Sequence, residues 1–485
     1  MTSRRTFLKA GLAAGVASAA PWPLKPLFGQ ARDLASLTLK QASDLIRAKT
    51  VSPVELTEAC LQRIEKFNPA FNAFITVTRE QALRSAREAE TEIRAGRWRG
   101  PLHGVPIALK DNMDTAGIRT TGASELFESR VPETDAEVAR RLKAAGSVLL
   151  GKLNLHEFAY GGSSTTTHFG TMHNPWAPDH VTGGSSGGSG IAVASDFCYA
   201  ALGTDTAGSV RMPASHCGIV GLKPTYGLVS TRGVMTLSWS LDHVGPMCKT
   251  VEDAAIMMNI IAGHDPLEPT SVETAIPDHT RAMKTSTSKL RLGIARTPFF
   301  TNLDPEVSRA MDAALAVLGK MTAGTTDVEL PPAGNAATLW GSEAYAYHKP
   351  WITKSPEKYQ AGTRAQLQRT ANANGAEYAQ ARRDLDLLRV EIKKVFTKVD
   401  VLIAPTMKAP AALLTSPGAG GGGGNNNVVF DMYGVPSISV PCGFTASGLP
   451  IGLQISGGHF AEMTVLALAH AYEQATEWHK RNPQL

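Results

Sequence analysis

Cysteine is scarce in this chain. The five present, Cys60, Cys198, Cys217, Cys248 and Cys442, are odd in number and widely scattered, which argues against a disulfide framework. Charge of one sign is also missing: 48 Lys+Arg against 43 Asp+Glu leave a net charge of only +5. An excess so slight and dispersed does not point to nucleic acid or to a membrane surface, and the partner it leaves is a small molecule. No apolar run reaches the ~20 residues a transmembrane helix needs, so stable membrane insertion is not expected. His156, His168, His173 and His180 cluster in sequence without a metal-ligand spacing, and neither a metal nor an organic cofactor is implied. No low-charge, polar linker splits the chain, and 43% hydrophobic residues can bury a large core.

The amino terminus stands apart. Ser3-Arg4-Arg5-Thr6-Phe7-Leu8-Lys9, followed by the weakly apolar Ala10–Ala20, reads as a twin-arginine export signal over residues 1–31. Cleavage fits after Ala19 or after Ala31, and either site places the mature protein in the periplasm or outside the cell. Residues 32–485 are then the folded domain.

Within it, short apolar runs such as Val105–Leu109 and Ser147–Leu150 alternate with helical or glycine-rich stretches from Gly100 to Tyr226. That alternation predicts an α/β sheet with functional residues at strand ends. Thr38-Leu39-Lys40-Gln41 and Ser52-Pro53-Val54-Glu55 are capping boxes opening two helices, the second with Leu56, Cys60, Ile64 and Phe67 on one face. A charged helix is expected over 79–95, a crossover helix over 140–145, and helices opening at Thr250 and Asp304. Leu290–Ala295, Val399–Ala404, Ser437–Pro441 and Ile451–Ile455 read as strands, and Glu462–Trp478 as a closing helix. The run from 416 to 427, almost all glycine and asparagine at its centre, reads as a mobile loop.

The stretch that carries chemistry runs from Val181 to Ser215. It holds two glycine-serine turns, Gly183-Gly184-Ser185-Ser186-Gly187-Gly188 and Thr206-Ala207-Gly208-Ser209. Glycine permits sharp turns with exposed N–H groups, which suit an anion or oxyanion. A serine hydroxyl needs a base to become a nucleophile, and Lys110 is the candidate. The apolar residues from Val105 to Leu109 deliver it as a buried strand, and burial lowers an amine's pKa toward neutrality.

These residues resemble the amidase signature family. The likeness rests on PIALKDN around Lys110, GGSSGGS from Gly183, GTDTAGSVRMPAS from Gly203 and CGIVGLKPTYG from Cys217, with weaker pieces near Gly151, Thr250, Gly434 and Gly448. The resemblance implies one large α/β domain, a twisted mixed β-sheet covered by helices on both faces. It implies hydrolysis of a carboxamide, and of esters as a side reaction, with Ser209 as acyl-forming nucleophile and Lys110 as general base. Ser185, held by a cis peptide after Gly184, would bridge them, and the N–H groups of Thr206, Ala207, Gly208 and Ser209 would form the oxyanion hole. Ala207 departs from the glycine usual in the family, and Asp431 stands where asparagine is common.

Asp205 and Arg211 flank the nucleophile and are expected to pair, holding the turn rigid. Residues 334–398 match nothing specific; the resemblance implies a helical region covering the acyl pocket, with Trp340, Tyr345, Tyr347 and Trp351 as wall candidates. The substrate expected is a small-molecule amide, with no nucleic acid, and a homodimer is compatible with the pattern. Two other readings stand beside this one: the glutamine-hydrolysing component of a tRNA-dependent amidotransferase, and a non-catalytic binding protein on the same fold. Two motif matches carry less. The G-x-S-x-G around Ser185 and Ser186 lacks a histidine in a suggestive turn, and Gly146–Lys152 reads better as a buried strand than as a phosphate loop.

Overall fold

A computed structural model describes residues 33–416 and 425–485. The twin-arginine segment and residues 417–424 of the glycine-rich run lie outside the described residues. Eleven strands make one sheet: β1 (Phe74–Val77), β2 (Pro106–Lys110), β3 (Val148–Leu153), β4 (Ala200–Asp205), β5 (Val220–Lys223), β6 (His243–Cys248), β7 (Leu292–Ile294), β8 (Thr325–Asp327), β9 (Val401–Pro405), β10 (Ser437–Phe444) and β11 (Pro450–Gly457). Their order across the sheet is β1-β3-β2-β4-β6-β5-β10-β11-β9-β7-β8. Pairing is mixed: β2 runs parallel to β3 and β4, and β7 to β8 and β9, while the remaining pairs are antiparallel. Helices flank the sheet, and the single α/β domain expected from the sequence is the fold found.

The centre of the sheet reads as it does because it is buried on both faces. All five residues of β2 and all six of β4 are buried, so neither strand alternates polar with apolar. The two strands align Ile107 with Ala200 and Leu109 with Leu202. Being parallel neighbours, they release Lys110 and the turn after Asp205 at the same end of the sheet.

Both capping boxes form. Thr38 Oγ1 accepts the Gln41 N–H, and Ser52 Oγ accepts the Glu55 N–H, each at 3.1 Å. In helix Pro53–Phe71, Leu56, Cys60 and Ile64 are buried against the core and Phe67 is half-buried. The expected charged helix spans Arg79–Arg94 and the crossover helix Glu137–Ala144. All five cysteines are buried and unpaired. The strand anticipated at Ser147–Leu150 continues to Leu153 and includes Gly151 and Lys152.

Several other boundaries differ: the strands expected at Leu290–Ala295 and Val399–Ala404 span Leu292–Ile294 and Val401–Pro405, and those expected at Ser437–Pro441 and Ile451–Ile455 span Ser437–Phe444 and Pro450–Gly457. The last helix stops at Ala475, because Thr476 turns to an extended backbone and its hydroxyl donates to the Tyr472 carbonyl at 3.0 Å. The region 334–398 folds into helices Ala336–Ile352, Ala361–Arg369 and Gly375–Val395. Among the described residues no helix is long and apolar enough to cross a membrane.

Candidate active site

Lys110 ends β2 with no exposed surface. Its Nζ lies 2.8 Å from Ser185 Oγ and 2.7 Å from Thr204 Oγ1, and Thr204 Oγ1 also accepts Asn112 Nδ2 at 3.1 Å. Burial pushes the amine down to about 7, with Asp205 and Asp242 pulling it up. An amine near neutrality, hydrogen-bonded to a buried serine, is able to hold or release a proton at ordinary pH. Thr204, a holder of the lysine that sequence reasoning passed over, lies inside the GTDTAGS motif.

The peptide bond between Gly184 and Ser185 is cis. The Ser185 carbonyl accepts the His156 N–H at 3.0 Å, and the next residue, Ser186, sends its N–H to the Ser209 carbonyl at 3.2 Å. Ser186 Oγ accepts the Thr204 N–H at 3.3 Å and donates to the Thr204 carbonyl at 3.2 Å. The two glycine-serine turns are thus laced together through backbone atoms. Burial holds the His156 imidazole neutral, lowering it to about 4, with the charge of Lys110 acting in the same direction.

Ser209 follows, lining a cavity of about 460 Å³ beside Thr206, Ala207, Gly184, Gly161 and Gly162. Among the described residues its hydroxyl makes no hydrogen bond, and the Ser185–Ser209 link expected of a relay is not formed in this geometry. The expected oxyanion turn needs one correction. The Gly208 N–H donates to Asp205 Oδ1 at 2.6 Å and is therefore engaged. The N–H groups of Thr206, Ala207 and Ser209 have no acceptor among the described residues.

Glycine is required at 208 and not at 207. Gly208 sits at φ +109°, and a Cβ there would come within 2.6 Å of Asn427 Cβ. Ala207 has no positive φ, so its methyl meets no backbone obstacle.

Asp205 and Arg211 pair as expected. Arg211 Nε and Nη2 each lie 3.0 Å from Asp205, and Nη2 lies 2.6 Å from Asp431 Oδ2. Gln454 Oε1, at 2.9 Å from Nη1, adds a further acceptor to this fully buried guanidinium. Burial alone would raise the Asp205 carboxyl, but Arg211 outweighs it and holds Asp205 below the ordinary carboxylate range. As an anion Asp205 also accepts the N–H groups of Gly208 and Val210, which fixes the turn carrying Ser209. Burial raises Asp431 well above that range despite its Arg211 partner.

Of the four aromatic wall candidates, Trp340 alone lines the cavity. Tyr347 and Trp351 share its side of helix Ala336–Ile352, but at 1.5 Å per residue they lie about 10 and 16 Å farther along the axis. Trp351 stacks edge-on with Phe127, and Tyr347 packs against His348. Tyr345 projects from another side of the helix and packs with Trp351 around Phe158, Tyr359 and Leu367. The unmatched region does supply a second lining residue, Gln366, whose Nε2 donates to the Tyr160 carbonyl at 3.2 Å.

Met212, Leu237, Val428 and Asn425 complete much of the wall. Asn425, the first described residue after the glycine run, donates to the Ala207 carbonyl at 2.6 Å. Among the described residues the lining contains no aspartate, glutamate, lysine, arginine or histidine.

A sequence profile described as Amidase matches residues 55–466. The chain belongs to the amidase signature family. The glutamyl-tRNA(Gln) amidotransferase A-type polypeptide of Geotalea daltonii is 40% identical, over 93% of this chain and 100% of that protein. Its counterpart from Thermosynechococcus vestitus is 39% identical, over 90% of this chain and 97% of that protein. Among solved structures, the peptide amidase from Stenotrophomonas maltophilia superposes with a TM-score of 0.82 at 32% identity, covering 93% of this chain and 99% of that one. The chain is an enzyme of this amidase family.

Proposed function

We propose that this protein hydrolyses the C–N bond of a carboxamide through an acyl-enzyme on Ser209. The observation that carries the reading is the buried Lys110–Ser185 contact at 2.8 Å, beside a turn that presents Ser209 and three N–H groups with no intramolecular acceptor to one cavity. With substrate bound, Ser209 rotates toward Ser185, gives it a proton and forms the C–O bond, while Ser185 passes its own proton to Lys110. The N–H groups of Thr206, Ala207 and Ser209 receive the developing oxyanion. As the C–N bond breaks, the proton on Lys110 returns through Ser185 to the departing amine. Water then cleaves the ester by the same relay, releasing the acid and restoring Ser209.

A fluorophosphonate probe tests this directly. Mass spectrometry is expected to find the adduct on the peptide holding Ser209, with amide turnover lost in step with labelling. Turnover that survives in Ser209→Ala excludes the reading.

The curated relatives support a second reading, in which the same chemistry frees ammonia from glutamine as part of a tRNA-dependent amidotransferase. Copurification with further polypeptides of such a complex from the native host, together with hydrolysis restricted to glutamine, would establish it. Against it stands the twin-arginine pattern at Arg4-Arg5, which we read as export of the folded enzyme to a compartment without tRNA. Fusion of residues 1–31 to a reporter, with Arg4→Lys and Arg5→Lys as control, tests that placement. On the first reading the partner is a small-molecule amide and no nucleic acid is bound.

A further inference from the structure

The wall around Ser209 is electrically neutral. Apolar side chains form much of it, among them Met212, Leu237, Trp340 and Val428, and the polar ones beside Ser209 are the hydroxyls of Tyr160 and Thr206 and the carboxamides of Gln366 and Asn425, all without charge. Asn425 is already engaged: its Nδ2 donates to the Ala207 carbonyl at 2.6 Å and its Oδ1 accepts from the Asn427 N–H and Nδ2 at 2.8 and 2.6 Å. Gln366 donates to the Tyr160 carbonyl and keeps Oε1 without a partner among the described residues, a neutral acceptor.

The charges at the nucleophile turn are committed elsewhere, while Arg369, whose charge acts on the Tyr160 phenol, lies exposed at the end of helix Ala361–Arg369. Lys110 faces Ser185 and Thr204, Asp205 faces Arg211, and Asp242 accepts the Thr206 hydroxyl. Residues 417–424, beyond the described ones, are proline, alanine and glycine only, and include no ionisable side chain.

A free amino acid carries an ammonium and a carboxylate, each of which loses its hydration on entering such a site. Without a counter-charge that loss goes uncompensated. A volume of about 460 Å³ also falls in the range of pockets that hold drug-sized ligands, ample for an acyl chain longer than glutamine's.

We propose that the acyl group accepted here is uncharged and predominantly apolar, of aryl-alkyl or medium-chain aliphatic type, with Trp340 as a specificity-determining residue, and that free glutamine is excluded. The proposal rests on the amide-hydrolase reading above. Trp340 and Tyr160 supply the aromatic surfaces of the wall, Trp340 the larger, so an aryl or long alkyl group gains contact there that a short one cannot reach.

The test compares kcat/KM of the full chain for 3-phenylpropionamide, hexanamide, glutaramic acid and L-glutamine. Hexanamide and glutaramic acid have nearly the same shape and differ by one negative charge. Hexanamide is expected to exceed glutaramic acid, and 3-phenylpropionamide to exceed glutamine, by about 100-fold or more. Trp340→Ala is expected to lower the ratio of kcat/KM for 3-phenylpropionamide to that for propionamide about tenfold or more, and an unchanged ratio overturns the role given to Trp340. Equal or better use of glutamine or glutaramic acid overturns the proposal and leaves amide hydrolysis standing. If no amide turns over and Ser209 resists the fluorophosphonate probe, the underlying reading falls and this one with it.

Discussion

Asp242 Oδ1 accepts the Thr206 hydroxyl at 2.6 Å, and its Oδ2 accepts the N–H groups of Leu237 and Ser238 at 2.9 and 3.0 Å. One carboxylate therefore ties a wall of the cavity to the turn that presents Ser209. Burial raises Asp242 to about 7, and in its ionised form it stabilises the charged form of Lys110. Neutralising it removes that support, so the lysine loses its proton more readily. If unprotonated Lys110 is the base, kcat/KM rises with pH through about 7, and Asp242→Asn moves that limb to lower pH. A pH profile in which the limb stays put or moves upward counts against Lys110; one in which it vanishes assigns it to Asp242 itself.

Lys110 also leaves a mark on stability. Its folded pKa of about 7 lies below the 10.5 of an exposed lysine, so between these values the unfolded chain binds more protons. Stability therefore rises with pH across that window and carries the full penalty below it. Lys110→Met abolishes turnover and removes the slope: the advantage of the variant over the wild type in thermal melts is expected to be largest at pH 6–7 and to shrink toward pH 10. Because Lys223 is lowered to about 7 by burial as well, the difference between the two proteins is the quantity to read.

The two serines separate chemistry from folding. Ser209 makes no side-chain hydrogen bond among the described residues, so Ser209→Ala is expected to change stability by less than about 0.5 kcal/mol while lowering kcat about 10⁴-fold or more. Ser185 is fully buried and bonded to Lys110, so Ser185→Ala costs about 1–3 kcal/mol as well as activity. The double variant is expected to be little slower than Ser209→Ala alone, because the two act as a unit. Additive losses in kcat would mean that they do not.

Neighbouring positions in the nucleophile turn differ in what they tolerate. Gly208→Ala forces a methyl toward Asn427 at a φ of +109° and is expected to cost about 1–3 kcal/mol with a large fall in kcat. Ala207→Gly removes a methyl from unstrained backbone, costs under about 1 kcal/mol and leaves kcat within about threefold. Urea titration and steady-state kinetics on both proteins decide it.

Asp431 is expected to behave unlike its partner Arg211. Its Oδ1 has no hydrogen bond, and burial raises its pKa, so the folded protein holds this proton at pH values where the unfolded chain has released it. Stability attributable to Asp431 thus falls as pH rises, and Asp431→Asn is expected to be within about 1 kcal/mol of wild type near pH 5 and relatively more stable at pH 8. Arg211→Met strips Asp205 of its counter-charge and costs about 3–5 kcal/mol. Thermal melts at the two pH values check both.

Much of this was readable in the letters because it depends on local chemistry. Thr38 and Ser52 open helices through contacts within three residues, and the apolar stretch before Lys110 reads as a buried strand. The cluster of Lys110, Ser185 and Thr206–Ser209 was legible from the family likeness. Thr204, Asp242 and Gln366 escaped because their roles arise from the fold: Thr204 meets Lys110 across neighbouring strands, and Gln366 reaches the cavity only through the packing of three helices without a matching motif. Tyr345, Tyr347 and Trp351, offered as walls by the resemblance, lie off the cavity lining for the same reason. Helical periodicity gives a residue's face but leaves open which part of that face stands over the cavity. The engagement of the Gly208 N–H by Asp205 is likewise a matter of carboxylate position, which spacing alone does not define.

The parallel pairing of β2 with β4 has a consequence for how reactivity arises during synthesis. Lys110 ends β2 and Ser209 sits in the turn after β4, and the chain between these two strands holds β3 and the helix Gly187–Ala194. An emerging or partly folded polypeptide carries an ordinary lysine and an ordinary serine. The attacking hydroxyl comes into being with the sheet, and it disappears again as soon as those two strands part.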